Sequence, residues 1–197
     1  MPPAGPRPLL GEPVSLDLLN TEWIAQGVRQ DLLTSVEGLH VWLADNGLEH
    51  LVTGGTPGDS APHGAAAPSG GAVLEALLEA REAIGAAVRA PGTEDAVRRV
   101  NAVLRHGRVR PLLTGDGPGE AVEFDDPAWG PAWTAAHDYL RLLRTAPDRI
   151  RACEHPKCIL HFFDTSRNGT RRWCSMAGCG NRAKASRHYA RTREDRP

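Results

Sequence analysis

The chain has 197 residues, of which 41% are hydrophobic and 24% charged, a composition typical of globular proteins with one medium or two small domains. No segment approaches the roughly 20 consecutive apolar residues that span a bilayer, and the N-terminus lacks the apolar core of a signal peptide. We therefore expect a cytoplasmic protein with no membrane partner, whose four cysteines stay reduced.

The net charge of −1 hides a strong asymmetry along the chain. Residues 149–197 contain 12 Lys and Arg against 4 Asp and Glu, whereas residues 1–148 contain 11 against 20. A basic C-terminal segment on an acidic body favours a polyanionic partner for that end of the chain. The alternative is that the two parts attract each other.

Two helices are predicted in the first 50 residues. Leu16, Leu19 and Trp23 follow a helical spacing, which predicts one short amphipathic helix through Trp23. Thr34 is the predicted N-cap of the second helix, because Glu37 three residues later completes a capping box.

The next segments predict a flexible loop and two longer helices. Residues 53–71 are dominated by Gly, Pro, Ala and Ser, which is typical of a flexible loop. Val73–Val88 has one apolar helical face and ends before Pro91. Thr93 is the predicted cap of a further helix, which we expect Gly107 to end.

A hairpin and a last helix complete the N-terminal part. Residues 109–113 and 121–124 flank a Gly-rich turn and predict a β-hairpin. Trp129 and Trp133 begin a helical apolar stripe, and we expect both to pack in the core rather than line a ligand pocket. Because no phosphate loop, zinc-binding helix or nucleophile elbow is present, we predict that this mostly helical α+β domain is not an enzyme.

The four cysteines form two equal pairs in the last quarter, Cys153-x4-Cys158 and Cys174-x4-Cys179, separated by 15 residues. This spacing is typical of four thiolates around one tetrahedral metal ion. About 45 residues with few large apolar side chains cannot bury enough surface to fold alone, and zinc binding supplies the missing free energy. A closed four-cysteine shell leaves no position for a substrate, so we predict one structural Zn²⁺.

Three other metal-site hypotheses are less favoured. His155 and His161 could act as substitute ligands, although four cysteines make them unnecessary. Two disulfides would require an oxidising compartment. An iron–sulfur cluster also uses four thiolates, but two separated pairs with a strand-like segment between them favour a zinc fold.

The segments around the cysteines predict a knuckle, a hairpin and a helix, which together form a treble-clef arrangement. Residues 159–163 and 171–173 are the predicted strands, with Asn168-Gly169 in the turn, and residues 181–193 are the predicted helix. The candidate nucleic-acid contacts are the basic side chains of the hairpin and helix, namely Arg167, Arg171, Arg172, Arg182, Lys184, Arg187, His188 and Arg191. The alternatives are a solvated basic helix and, for Asn181 and Arg182, a role beside the thiolates.

Several motifs resemble a known family. Phe163-Asp-Thr-Ser-Arg-Asn-Gly169, Arg172-Trp-Cys-Ser-Met176 and Cys179-Gly-Asn-Arg-Ala-Lys184 are similar to the CGNR zinc finger. Leu16-Asp-Leu-Leu-Asn-Thr21 and Leu39-x-x-Trp-Leu43 resemble the ABATE domain that usually accompanies this finger. The resemblance covers nearly the whole chain except the loop.

The resemblance implies an ABATE-like ligand-binding domain over residues 14–146 and a treble-clef-like zinc finger over residues 148–193. It implies that the zinc ligands are Cys153, Cys158, Cys174 and Cys179. It also implies a stress-induced bacterial transcription regulator whose finger binds DNA. The family supplies no base-contacting or ligand-binding residues, so the ligand site stays unknown.

We therefore expect a nucleoid-associated transcription regulator whose N-terminal domain senses a small molecule or a partner protein. One short helix reads little DNA sequence, so useful specificity predicts a homodimer on two half-sites. The alternative hypothesis is a zinc-stabilised protein- or RNA-interaction module without sequence-specific DNA binding.

Overall fold

The structure is a computed structural model that describes residues 7–53 and 67–186. The helices of this part are α1 Val14–Leu19, α2 Val36–Asp45, α3 His50–Thr53, α4 Gly70–Arg89, α5 Glu94–Leu104 and α6 Gly130–Thr145. Its strands are β1 Glu22–Ala25, β2 Val28–Asp31, β3 Gly107–Thr114, β4 Gly117–Phe124, β5 Ile150–Ala152 and β6 His161–Phe163. The strands form three separate antiparallel pairs, β1–β2, β3–β4 and β5–β6. The predicted α+β class with a C-terminal cysteine cluster is confirmed.

Helix α4 is the centre of the N-terminal domain, which we define as the described residues before residue 147. It packs against α1, α2, α5 and α6. Small buried residues on α4, among them Ala76, Ala80 and Ala83, let these neighbours approach closely, while Leu77 and Ile84 fill the space between them. The domain therefore has one continuous apolar core. Among the described residues, no helix is long and apolar enough to cross a membrane.

The first helix ends earlier than its apolar spacing predicts. Helix α1 stops at Leu19, and Trp23 lies in strand β1 of a hairpin with β2, so the prediction of one helix through Trp23 is wrong. The hairpin turn is Gln26-Gly27, where both residues have positive φ, 51° and 81°. Two consecutive left-handed residues favour a tight hairpin turn, which reverses the chain.

Helix α2 is capped one residue later than predicted. Ser35, not Thr34, is the N-cap, and its hydroxyl accepts a hydrogen bond from the Gly38 amide at 3.3 Å. The predicted flexible loop also extends too far, since Gly70 and Gly71 already belong to α4, which Ser69 caps. Residues 54–66 of that predicted loop lie outside the described residues.

Gly107 does not end helix α5 as predicted. The helix ends at Leu104, and Gly107 begins β3 in register with Phe124. A Cβ at Gly107 would lie 2.8 Å from the Trp133 ring, so close packing explains the glycine. The predicted hairpin is confirmed, with pairs running from Gly107↔Phe124 to Thr114↔Gly117.

Trp129 and Trp133 pack as predicted. Trp133 is buried and donates its indole N–H to the Leu104 carbonyl at 3.1 Å. Trp129 stacks on the His106 ring with the ring centres 3.7 Å apart. Both rings thereby fix the base of the β3–β4 hairpin against α6.

Candidate metal centre

The described structure brings the four cysteine sulfurs to one point. All four Sγ atoms of Cys153, Cys158, Cys174 and Cys179 lie within 4.8 Å of one another. The Cys158–Cys174 distance is 3.8 Å and the Cys174–Cys179 distance is 3.6 Å. A tetrahedral zinc with Zn–S bonds of about 2.3 Å has sulfur–sulfur distances of about 3.8 Å, whereas a disulfide requires about 2.05 Å. The donor set therefore fits one structural Zn²⁺, and that prediction is confirmed.

Two tight backbone turns position the ligand pairs. In the first pair, the Cys153 amide donates to the Leu160 carbonyl and the Cys158 amide to the His155 carbonyl, both at 2.9 Å. The second pair lies at a π-helical turn, Met176–Gly180, that leads into helical residues 181–186. The Cys174 amide points at Cys153 Sγ, 3.4 Å away, and so links the two pairs directly.

The hairpin of this module differs from the predicted one. Strand β6 pairs with β5, which precedes Cys153, and the predicted return strand at 171–173 is not a strand. The physical reason lies at Asp164, whose buried carboxylate accepts the Ser166 and Arg171 amides at 2.8 and 3.0 Å. Because the Arg171 amide is bound to Asp164, it is not available for a β-ladder between residues 171–173 and β6. The Asn168-Gly169 turn itself is present, with Gly169 at a φ of 63°.

The thiols by themselves do not all ionise at neutral pH. Hydrogen bonding from Cys174 lowers the pKa of Cys158 to about 5. Hydrogen bonding to Cys158, together with burial, raises the pKa of Cys174, and burial raises the pKa of Cys179 to about 11. A dication is therefore needed to hold the full set as thiolates.

Arg182 lies directly beside the metal site. Its Nη2 donates to Cys179 Sγ at 3.2 Å, so its charge offsets part of the double negative charge of a tetrathiolate zinc site. Asn181 instead donates to the Ala177 carbonyl at 3.4 Å. Gly180 is buried between Met176 and Trp173, where a Cβ would meet the Met176 sulfur at 2.7 Å.

Two of the candidate DNA contacts are already engaged within the module. Arg171 donates to the Trp173 and Cys174 carbonyls at 3.0 and 2.5 Å and lies 4.2 Å above the Phe162 ring. Arg171 therefore holds the backbone of the zinc ligand Cys174 in place. Arg172 is exposed but forms an ion pair with Glu154 at 2.5 Å.

The other candidates divide into two sets. Arg167 and Lys184 are exposed and have no side-chain partner among the described residues. Arg187, His188 and Arg191 lie outside the described residues. Sequence analysis missed Lys157, which is exposed on the first cysteine knuckle and whose side chain also has no partner in the described part of the chain. In the sequence, only the basic charge of the C-terminal segment pointed to Lys157.

Sequence analysis also missed three N-terminal residues that contact the metal-binding module. The Asn20 amide group exchanges two hydrogen bonds of 2.8 Å with the backbone of His161. The Glu12 carboxylate accepts from the Phe163 amide at 2.8 Å, and burial raises the pKa of Glu12. Trp23 packs into the cluster of buried residues around the cysteines. The signal for Asn20 was a polar side chain directly after the apolar run of α1.

Two of the clefts on the described part of the surface lie near residues discussed above. One, of about 260 Å³, lies beside the metal site and is lined by His155, Pro156, Arg172, Trp173, Ala183 and Ser186. The other, of about 160 Å³, lies at the base of the β3–β4 hairpin around His106. The N-terminal cleft is smaller than the roughly 300–1,000 Å³ of usual ligand sites.

Two protein-family models match the chain. The ABATE model, described as "Putative stress-induced transcription regulator", matches residues 12–146, and the CGNR zinc finger model matches residues 149–192. No curated protein matches the chain in sequence. The second match contains all four sulfurs of the metal site.

Proposed function

Since the chain belongs to the ABATE family and carries a CGNR zinc finger after that domain, we propose that it is a non-enzymatic transcription regulator that binds DNA through the finger. The finger is defined here as the residues after 147. The proposal rests above all on unpaired positive charge. Residues 149–186 contain 8 Lys and Arg but only 2 Asp and Glu, and one of these acids, Asp164, is buried.

Three cations of the finger are suited to contact phosphates. Lys157, Arg167 and Lys184 are exposed, and none has an ion-pair partner among the described residues. They lie on the first knuckle, on the Asp164 loop and on the helical segment after Cys179. The zinc ligands position the first and the third of these segments, and the hydrogen bonds of Asp164 hold the loop. A fixed set of cations binds a phosphate backbone with little loss of conformational entropy.

The ABATE domain supplies the signal in this proposal. Its family description supports a stress response, and we propose that it senses a small molecule or a partner protein in the cytoplasm, with the finger at the nucleoid. A homodimer would bring two fingers to half-sites about one helical turn apart. No residue of the described N-terminal cleft is assigned to a ligand.

Binding of the full chain to a fluorescent duplex tests the DNA part of the proposal. Fluorescence anisotropy is measured at several salt concentrations for wild type and for Lys157→Ala, Arg167→Ala and Lys184→Ala. Each variant that loses a phosphate contact should bind more weakly. The slope of the logarithm of its affinity against the logarithm of the salt concentration should be smaller in magnitude by about 0.9. Arg105→Ala is the matched control, since Arg105 is an exposed arginine of the N-terminal domain whose side chain has no partner among the described residues.

Two results would contradict DNA binding. One is the absence of duplex binding at low salt, and the other is an unchanged affinity in all three variants and in the Arg187→Glu, Arg191→Glu double variant. Binding to single-stranded RNA or to a protein instead, with the same dependence on the three cations, would support the interaction-module hypothesis.

A further inference from the structure

The finger is held to the N-terminal domain along the free edge of strand β6. The Asn20 amide group binds both the N–H and the carbonyl of the His161 backbone, each at 2.8 Å. Two residues further, the Phe163 amide donates to the Glu12 carboxylate at 2.8 Å. The side chains of the N-terminal domain thus replace a third strand of the finger sheet.

Trp23 extends this contact into the finger core. It is 2% exposed and packs in one buried cluster with three of the zinc-binding cysteines, Leu160 and Phe162. Of the large apolar side chains buried in this cluster, the described part of the finger contributes only Leu160 and Phe162. The N-terminal domain therefore completes the core that surrounds the metal.

The same segment is tied firmly to its own domain. Asn20 and Thr21 are fully buried, and the Thr21 hydroxyl accepts from Arg81 of helix α4 at 2.9 Å. Arg81 also forms a two-point ion pair with Asp31 of β2, with distances of 2.7 and 2.9 Å. Asn20 is therefore connected to α4, the central helix, through its neighbour Thr21.

We infer that zinc loading of the finger and the folding stability of the N-terminal domain are coupled through an interdomain clasp formed by Glu12, Asn20 and Trp23. This inference goes beyond the proposed function and holds whether or not the finger binds DNA.

The physical basis is that the two cysteine pairs are joined only weakly without a metal, by contacts such as the Cys174 amide on Cys153 Sγ and the Glu154 amide on the Arg172 carbonyl. All four cysteines are free of disulfides, so the metal is the strongest link that closes the finger. When the finger opens, the Trp23 side chain becomes exposed to water and the buried Asn20 amide loses its hydrogen bonds to His161. Both changes destabilise the N-terminal domain. By linkage, the clasp must strengthen zinc binding by the same factor by which zinc stabilises the domain.

Urea unfolding of the full chain, followed by circular dichroism at 222 nm, tests the first half of the coupling. This signal is dominated by α1–α6 of the N-terminal domain. Removing zinc with a chelator should lower the urea midpoint of the wild type. Asn20→Ala should reduce this shift, whereas Asn101→Ala, the same change at an exposed site on α5, should leave it unchanged.

Competition with a chromophoric zinc chelator tests the reciprocal half. Asn20→Ala removes two hydrogen bonds of the clasp and should weaken zinc binding about tenfold. Asn101→Ala should bind zinc as the wild type does. If Asn20→Ala loses its helical signal even with zinc, Glu12→Ala replaces it in both measurements.

The inference is overturned if wild type has the same urea midpoint with and without zinc. It is equally overturned if the clasp variant and Asn101→Ala bind zinc with the same affinity. Loss of duplex binding in any variant does not bear on it, so a failure of the coupling and a failure of the proposed DNA binding are distinguishable.

Discussion

The N-terminal domain is stabilised by a continuous apolar core in which Trp42, Leu77 and Ile84 are fully buried, whereas the described part of the finger buries only two large apolar side chains of its own, Leu160 and Phe162. The finger compensates with a metal and with Trp23, which it takes from the other domain. The two domains therefore differ in what can unfold them. Helix packing decides the stability of the first, and thiol chemistry decides that of the second.

The largest effect that separates the two domains should come from a single ligand. Cys174→Ser replaces a thiolate with a poor zinc ligand and should remove most of the metal binding, which is on the order of 10–16 kcal/mol in zinc peptides. We expect zinc no longer to copurify at one ion per chain, while the circular dichroism signal of α4 and α6 persists with a lower urea midpoint. Metal analysis of the purified protein and urea unfolding measure these effects.

Thr170→Ser is the control for that experiment, because Thr170 is exposed on the finger and does not reach the sulfurs. It should retain both zinc and the urea midpoint. Retention of stoichiometric zinc by Cys174→Ser would mean that the cluster is not the metal site.

The second prediction concerns pH, which should act directly on zinc binding by the finger. The pKa of Cys179 is about 11 and that of Cys174 is also raised, so both are protonated at pH 7, whereas Cys158, with a pKa of about 5, is already a thiolate. Zinc binding at pH 7 should therefore release at least two protons. The affinity should rise about a hundredfold per pH unit, or roughly 2.7 kcal/mol.

Calorimetry in buffers of different ionisation enthalpy counts the released protons, and chelator competition between pH 6.5 and 7.5 gives the slope. The sign follows from the need for thiolates, because a higher pH removes the protons that zinc must displace. Release of no protons at pH 7 would mean that Cys174 and Cys179 are already ionised without the metal.

The smallest of the three effects distinguishes two roles of basic side chains on the finger. Arg182→Ala removes the N–H···S contact with Cys179 and should weaken zinc binding about tenfold, which is the lower range for groups that support metal ligands. Lys184→Ala lies two residues away on the same helical segment and should leave zinc affinity unchanged while weakening duplex binding. The pair therefore separates support of the metal from contact with DNA.

Chelator competition and fluorescence anisotropy are measured on the same two variants. If Arg182→Ala binds zinc normally but loses duplex affinity, Arg182 acts at the DNA. Its contact with Cys179 then contributes little.

The parts of the fold that were predictable depend on short-range patterns. The β3–β4 hairpin follows from a Gly-rich turn between apolar segments, and the packing of Trp129 and Trp133 follows from helical spacing. Trp23 was assigned wrongly because its spacing also fits a helix, and the positive φ values at Gln26 and Gly27 that favour the hairpin are not visible in apolar periodicity.

The candidate site was also predictable only where it depends on short-range sequence patterns. The four cysteines indicate a zinc site because each pair must come from one tight turn, which sequence spacing records directly. The role of Arg171 was not visible, since its contacts with the Trp173 and Cys174 carbonyls depend on the loop that Asp164 organises. The spacing of arginines in the sequence cannot distinguish one that binds backbone carbonyls from one that is exposed on the surface.

The sequence by itself determined the family, the α+β class and the need for one zinc ion, because these depend on motifs and ligand spacing within a few turns of chain. Only the tertiary structure decided that β5 is the partner of β6, that Arg182 faces a zinc ligand and that Asn20 clasps His161. Asn20 and His161 are 141 positions apart in the sequence. Such a contact exists only after the helices around α4 have brought the end of α1 to the edge of the finger.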